Sequence, residues 1–420
     1  MSNVSDTRSG ACAGDPTPRR GVAYAPGPRK PWDARSPRRN VHLKPPLVLY
    51  QAPKRARTDY RIGLSAWTDK SMLQEGEFYP RRTMTAEERL WWDAHFFDAV
   101  EVNSSFYAIP AVETTAAWAE RTPPGFLFNA KAYRLLTGHG VDLARAPEPL
   151  KALLPAAARR GARGRVAADA IPPEARAWAF AELRASLTPL RQAGKLGYVL
   201  FQLAPWMTRS DTVLAGLAGL PRELPDTVVA VEFRHRSWFG AHTDETLAFL
   251  RDHGLSYVSI DGPRSRVTVP SLPALTTPHA VFRLHGRNFA GFLAQVQGKS
   301  PTVAEKYDYL YNERELEEIA RAAGALNGRA ERVHLAMNNN RRDYPVINGL
   351  RLKEMLLEDW HAPDREALIE ELEDRRAGTK ARRASVSAPG ARRTSRRDPR
   401  RCDPGSAGRT ASARTPLRRS

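Results

Sequence analysis

Apolar residues recur along this chain in eight short runs, and between the runs the spacing changes from every second residue to every third or fourth. The runs are RIGLSAW (61–67), AVEVNSSFY (99–107), FLFNAKA (126–132), LGYVLFQL (196–203), VVAVEFRH (228–235), LSYVSID (255–261), HAVFRLHG (279–286) and RVHLAMNN (332–339). Their length and β-branched content predict strands. Helical periods follow at 85–96, 112–122, 175–193, 243–254, 313–326 and 346–358, and Thr85 and Glu88 have capping-box spacing at the start of the first. Eight strands with helices between and after them predict an α/β fold, a closed parallel (β/α)8 barrel of the TIM type rather than an open doubly wound sheet. Two stretches break the rhythm. Residues 158–175 form a basic, Gly/Pro-containing insertion, either a lid or a surface excursion, and residues 262–278 carry four prolines and no helical period.

Alternation within the runs assigns faces. In a barrel strand successive side chains point alternately to the helices and to the interior. With Val100 and Val102 on the helix side, Glu101, Asn103 and Ser105 turn inward. The same parity predicts Lys131, Gln202, Glu232, Arg234, Asp261, Arg283, His285 and Asn338 inside, converging near the carboxyl ends of the strands, where barrel enzymes keep their sites.

Charge changes the picture only at the ends. The net +19 resolves into 12 Lys/Arg against 3 Asp/Glu over residues 1–57, 15 against 2 over 375–420, and 38 against 41 between them. We therefore expect a disordered basic N-terminal tail (1–57), a barrel domain (58–374) and a disordered Arg-rich C-terminal tail (375–420). The tails are solvated segments or arms that neutralise nucleic-acid phosphates, and they lack interleaved aromatics for base stacking. Cys12 and Cys402 are the two cysteines, both in the tails, so a disulfide framework or cysteine-based zinc site in the core is excluded. With no secretory signal and no run of about 18 apolar residues, the expectation is a soluble cytoplasmic protein without a membrane partner. Oligomeric state is not legible. Walker, GxGxxG, HExxH and GxSxG motifs are absent, which removes support for nucleotide-driven and serine-nucleophile chemistry.

The ordered series IGLSAW, FDAVEVNSSFYAIP, WAERTPPGFLFNAKA, KLGYVLFQLAP, VEFRHRSW, FRLHGR, YDYLYNERELEEIA and MNNN with INGLRLKEML resembles the domain-of-unknown-function 72 family, also called YecE-like, from about Arg61 to Leu357. The resemblance implies a TIM-type barrel and no established reaction. Ala204, Arg236 and the basic insertion depart from the family pattern without removing an inward polar residue.

The inward set suggests chemistry, each part with a duller counterpart. Glu232 and Asp261 on neighbouring strands suit a general acid and base, or with His285 a donor set for a divalent metal; the counterpart is a buried ion pair of Glu232 with Arg234 or Arg283. Lys131 among apolar neighbours suits Schiff-base chemistry, or a salt bridge to Glu101. Together with Arg234, Arg283 and Arg287 it suits an anion pocket, the preferred role for this basic set. Asn103, Gln202, Asn338 and Asn339 offer neutral hydrogen bonds to a ligand or to buried barrel groups. His139 is a loop candidate, and His235 has the wrong parity. Trp67, Phe106, Tyr107, Trp206 and Trp238 follow strands and are candidates to wall the mouth, Trp67 and Trp238 foremost. Two functions follow: an enzyme acting on an anionic sugar-like or nucleotide-like small molecule by acid/base or metal-assisted chemistry, or a non-catalytic, nucleic-acid-associated barrel binding through its tails.

Overall fold

The computed structural model describes residues 46–48, 50, 57–155, 164–265, 268–299 and 303–387. Each of the eight apolar runs forms a strand: β1 Asp59–Leu64, β2 Ala99–Val102, β3 Leu127–Lys131, β4 Leu196–Gln202, β5 Val229–Glu232, β6 Ser256–Asp261, β7 His279–Leu284 and β8 Arg332–Met337. All pairings are parallel and sequential, and β8 pairs with β1 from Arg332↔Asp59 to Met337↔Leu64, which closes the barrel. Gly63 permits the tight β1–β2 seam, because a Cβ there would lie 2.0 Å from the Ala99 carbonyl oxygen. Between β3 and β4 the register slips by one residue, Phe128↔Leu196 giving way to Ala130↔Val199, so that one extra residue of β4 faces Asn129.

The outward valines, leucines and phenylalanines of the strands meet the buried stripes of the helices. Helix α1 (Ala86–Phe96) starts with the expected capping box, Thr85 Oγ1 accepting from the Glu88 amide and the Glu88 carboxylate accepting from the Thr85 amide. Helix α2 spans Val112–Glu120. Helix α3 (Pro173–Gln192) buries Ala175, Ala179, Leu183, Leu187 and Leu190, a stripe of i, i+4 and i, i+3 steps along one face. Each such leucine contributes about 1.5–3 kcal/mol of transfer free energy. Helices α4 (Thr243–Asp252), α5 (Glu313–Gly324) and α6 (Tyr344–Leu356) complete the ring at the expected places. Residues 262–278 hold no helix; their short strand Ala274–Leu275 pairs with Leu47–Val48. Among the described residues no helix is long and apolar enough to cross a membrane.

Three boundaries require correction. Leu47–Val48, assigned to a disordered N-terminal tail, add a two-residue strand to Ala274–Leu275. The limit at 374/375 falls inside a helix, α7 (Arg365–Ser387): Leu368 and Leu372 are buried, Arg376 bonds the Glu88 carboxylate at 2.7 and 3.0 Å, and Arg375 lies 4.6 Å over the Trp91 ring. The run 99–107 stops being a strand at Val102, and Asn103–Phe106 form a 3-10 turn. The remainder of both tails, and residues 156–163 of the insertion, lie outside the described residues. The rest of the insertion is anchored: Arg165–Val166 pair antiparallel with Val141–Asp142, and Val166 and Ile171 are buried.

Candidate functional site

The barrel interior changes in character from floor to mouth. Tyr198, Leu200, Ala230, Val258, Ile260 and Val281 form an apolar plug. Beneath it His334 stands edge-on to Tyr198 with ring centroids 5.1 Å apart, and burial holds the imidazole well below its ordinary pKa and therefore neutral. Above the plug the polar residues gather. Arg283, 1 % exposed, bonds Glu101 through Nε (2.9 Å) and a second nitrogen, and Glu232 through its other arm. Glu101 also accepts from the Tyr198 hydroxyl at 3.0 Å, and Gln202 Oε1 lies 3.5 Å from Arg283. Arg234, with 21 % of its side chain exposed, pairs with the second oxygen of Glu232.

Two carboxylates and two guanidiniums thus cancel in a buried ladder. Burial opposes the Glu232 charge, but Arg234, Arg283 and His285 override it and hold the carboxyl well below the usual range. Burial likewise opposes the Arg283 charge and is overridden by Glu101 and Glu232. Glu232 is therefore an anchored carboxylate that fixes two arginines, and not a group poised to exchange protons near neutrality. His285 Nε2 lies 3.4 Å from Arg234 and 3.6 Å from Glu232, and its Nδ1 lies 2.7 Å from the Asn338 amide nitrogen. Burial and then Arg234 push this histidine down to about 3, which leaves it neutral.

Lys131, half-buried at the end of β3, stands apart. Its Nζ sits 4.4 Å over the Phe106 ring, and among the described residues the side chain makes no hydrogen bond or ion pair, although the backbone carbonyl accepts from the Ser105 hydroxyl at 2.6 Å. The expected salt bridge to Glu101 is not formed, because Arg283 and Tyr198 occupy that carboxylate. Burial and then Arg283 lower the Lys131 pKa to about 7, against weaker pulls from Glu232 and Glu101. Neighbouring His139, edge-on to Phe106 and to Trp206, is pushed down to about 4 by burial and then Lys131.

Asp261 is not part of this set. On β6 the apolar Val258 and Ile260 face the interior and the polar Ser259 and Asp261 face outward, as the register Leu284↔Asp261 requires. The rule that polar residues point inward fails on this strand because the outer side supplies partners. Asp261 takes two 2.8 Å bonds from Arg287 and one of 2.9 Å from the Tyr311 hydroxyl, while Ser259 accepts from the Ala274 amide. Arg287 also bonds Glu315 and Glu318, so it leaves the expected anion pocket. Glu232, Asp261 and His285 do not converge, and among the described residues no three His, Cys, Asp or Glu side chains gather as a metal site.

The two favoured tryptophans are also misplaced. Trp238 is fully buried behind β5, stacked on Phe233 at 4.3 Å with its indole N–H donating to the Met207 carbonyl. Trp67 packs edge-on against Trp118 in the outer core. Tyr107 and Trp206 are exposed on the rim. Asn103 and Asn340 both donate to the Ser65 carbonyl and steady the end of β1, whereas Asn339 is consumed by Tyr309 and Asn348.

One mouth residue escaped the sequence reading. Tyr307, from the 3-10 turn Val303–Tyr307, brings its ring centroid to 6.0 Å from that of His285. Burial would raise its pKa, but Arg234 and then Lys306 draw it below the ordinary value. The YDYLY stretch carries no period that marks one tyrosine out of three, so only tertiary placement reveals it.

Comparison with known proteins bears on the family and the fold. Residues 61–371 match the family described as "Protein of unknown function DUF72". The chain is 30% identical over 298 residues to the UPF0759 protein YunF of Bacillus subtilis (strain 168), covering 70% of this chain and 94% of that one. A DUF72 family protein from Enterococcus faecalis V583 superposes with a TM-score of 0.57 at 22% identity, covering 73% of this chain and 98% of its own. One from Thermotoga maritima MSB8 superposes at 0.55 with 27% identity, covering 71% and 99%.

Proposed function

The chain belongs to the DUF72 family of proteins of unknown function, and on that premise we propose that it is an enzyme acting on a small anionic molecule bound in the carboxyl-terminal mouth of the barrel. The observation that carries the reading is the convergence of Arg234, Lys131, Gln202, His285 and Asn338 above a charge ladder that already neutralises itself. Glu101 and Glu232 are matched by Arg283 and Arg234, so the Lys131 ammonium is surplus positive charge in a half-buried site. A carboxylate or phosphate, of a sugar-like or nucleotide-like compound, complements it. Arg234 offers a guanidinium edge already oriented by Glu232, and Asn103, Gln202 and Asn338 offer neutral contacts. The proton carrier in this reading is Lys131, whose pKa near 7 suits acid/base work at neutral pH. Glu232 and His285 position rather than transfer, and Asp261 has no part.

The test is a thermal-shift screen of the full chain against inorganic phosphate, carboxylates, sugar phosphates and nucleotides, repeated on Arg234→Gln and on the exposed-arginine control Arg264→Gln. A ligand at a hundred times its Kd stabilises the folded state by about 2.7 kcal/mol. The reading expects a shift that Arg264→Gln retains and Arg234→Gln loses. A shift that survives in Arg234→Gln, or none from any anion, contradicts it. The alternative of a nucleic-acid-associated protein rests on the Arg-rich tails, most of whose residues lie outside those described.

A further inference from the structure

Lys131 has an environment that anion binding alone does not require. It ends a barrel strand, is half-buried, and its Nζ lies over an aromatic ring with no carboxylate in contact among the described residues. The charged and titratable groups facing it are Arg283 from β7, Glu232 and Arg234 at the end of β5, Glu101 from β2 and His139 from the loop after β3. Of these, both carboxylates are already held by arginines, and the histidine is neutral. A lysine so placed keeps an unprotonated fraction at neutral pH, as its pKa of about 7 reflects.

We propose that Lys131 is an amine nucleophile that condenses with the aldehyde or ketone carbonyl of the anionic ligand to form a Schiff base. This rests on the anion reading above and names its substrate class: carbonyl compounds bearing a carboxylate or phosphate. In the step, the Nζ lone pair forms a bond to the carbonyl carbon, and the carbonyl π pair moves to oxygen, which takes up a proton. The carbon–oxygen bond then breaks, and the oxygen leaves as water with one hydrogen from the amine. The sum is amine plus carbonyl plus one proton giving iminium plus water, with no oxidant or cofactor. An anion at Arg234 does not defeat the reaction, because the iminium product retains the positive charge beside it.

The experiment incubates the full chain with pyruvate or with dihydroxyacetone phosphate in the presence of cyanoborohydride, whose hydride reduces the iminium to a secondary amine. Tryptic mapping then compares Lys131, where modification blocks cleavage, with exposed Lys70. At pH 7 the free-amine fraction of a lysine with pKa 7 exceeds that of an ordinary lysine about a thousandfold. The proposal expects Lys131 to be labelled at least about tenfold faster than Lys70 by one of the two probes, with a rate that rises through pH 7. The arm that labels distinguishes a 2-oxo acid from a phosphorylated ketone. Labelling no faster than at Lys70 with both probes overturns the proposal. Uncharged acetone separates the two readings: labelling of Lys131 by acetone as fast as by pyruvate supports the amine and sinks the anion site. Stabilisation by inorganic phosphate that Arg234→Gln abolishes, without any Lys131 adduct, sustains the anion site and sinks the amine.

Discussion

Replacing Arg283 by methionine removes the cation that bridges Glu101 and Glu232. The guanidinium is 1 % exposed and makes two hydrogen bonds to Glu101 and one to Glu232, so the variant leaves a buried carboxylate whose remaining described partner is the Tyr198 hydroxyl. Breaking a buried pair from one side costs about 3–5 kcal/mol. For a barrel of this size that is a fall in Tm on the order of 10 °C. The penalty has a pH signature. Without the guanidinium, the buried carboxylate has lost its cation partner, and such a site favours the neutral form of an acid. The penalty relative to the wild type then shrinks as pH falls from 7.5 to 5.5. In the wild type Glu232 is held well below the usual range, so its contribution is complete above the unfolded pKa and is lost only in stronger acid. Loss of Arg283 also relaxes Lys131, and that shift narrows the gap to wild type on acidification in the same direction. Urea unfolding at the two pH values measures both effects, and the double variant Glu101→Gln/Arg283→Met should recover more than half the loss. A penalty under about 1 kcal/mol, or one that grows on acidification, refutes the buried-ladder reasoning.

Three further outcomes follow from the same geometry. Lys131→Met should exceed the wild type in stability at pH 6.5 by on the order of 1–3 kcal/mol, because the lysine is less easily charged folded than unfolded; urea titrations should show this advantage fading as pH rises from about 7 toward 10. Asp261→Asn should cost about 1–3 kcal/mol through the bonds to Arg287 and Tyr311. Its phosphate-induced thermal shift should stay unchanged, and loss of that shift would return Asp261 to the site. Thr85→Ala should cost about 1 kcal/mol in denaturant melts by removing the capping box of α1, with no effect on ligand.

The barrel was legible because eight strands and their crossovers repeat one pattern, and strand parity is a strict consequence of backbone geometry. It placed Glu101, Lys131, Gln202, Glu232, Arg234, Arg283, His285 and Asn338 on one lining. Parity gives two possible faces, however, and chemistry must choose between them. On β6 the choice of polar-inward was wrong because Arg287 and Tyr311 wait on the helix side. Trp67 and Trp238 follow strands at nearly the right places, but the chain turns them into the outer core. Local sequence does not encode that turn, since Trp238 is oriented by Met207 and Phe233, and Trp67 by Trp118. The Arg-rich composition after residue 374 hid the last turns of α7, whose Arg375 and Arg376 owe their order to Trp91 and Glu88.

The central claim, that an anion binds beside Lys131, is tested most directly by titrating inorganic phosphate into the full chain by calorimetry at pH 8 in two buffers of different ionisation enthalpy. A lysine with a pKa near 7 is mostly unprotonated at this pH, and an adjacent anion favours its charged form. The account predicts that binding takes up roughly one proton in the wild type and none at that site in Lys131→Met. Binding with no proton uptake, or with the same uptake in Lys131→Met, would contradict it.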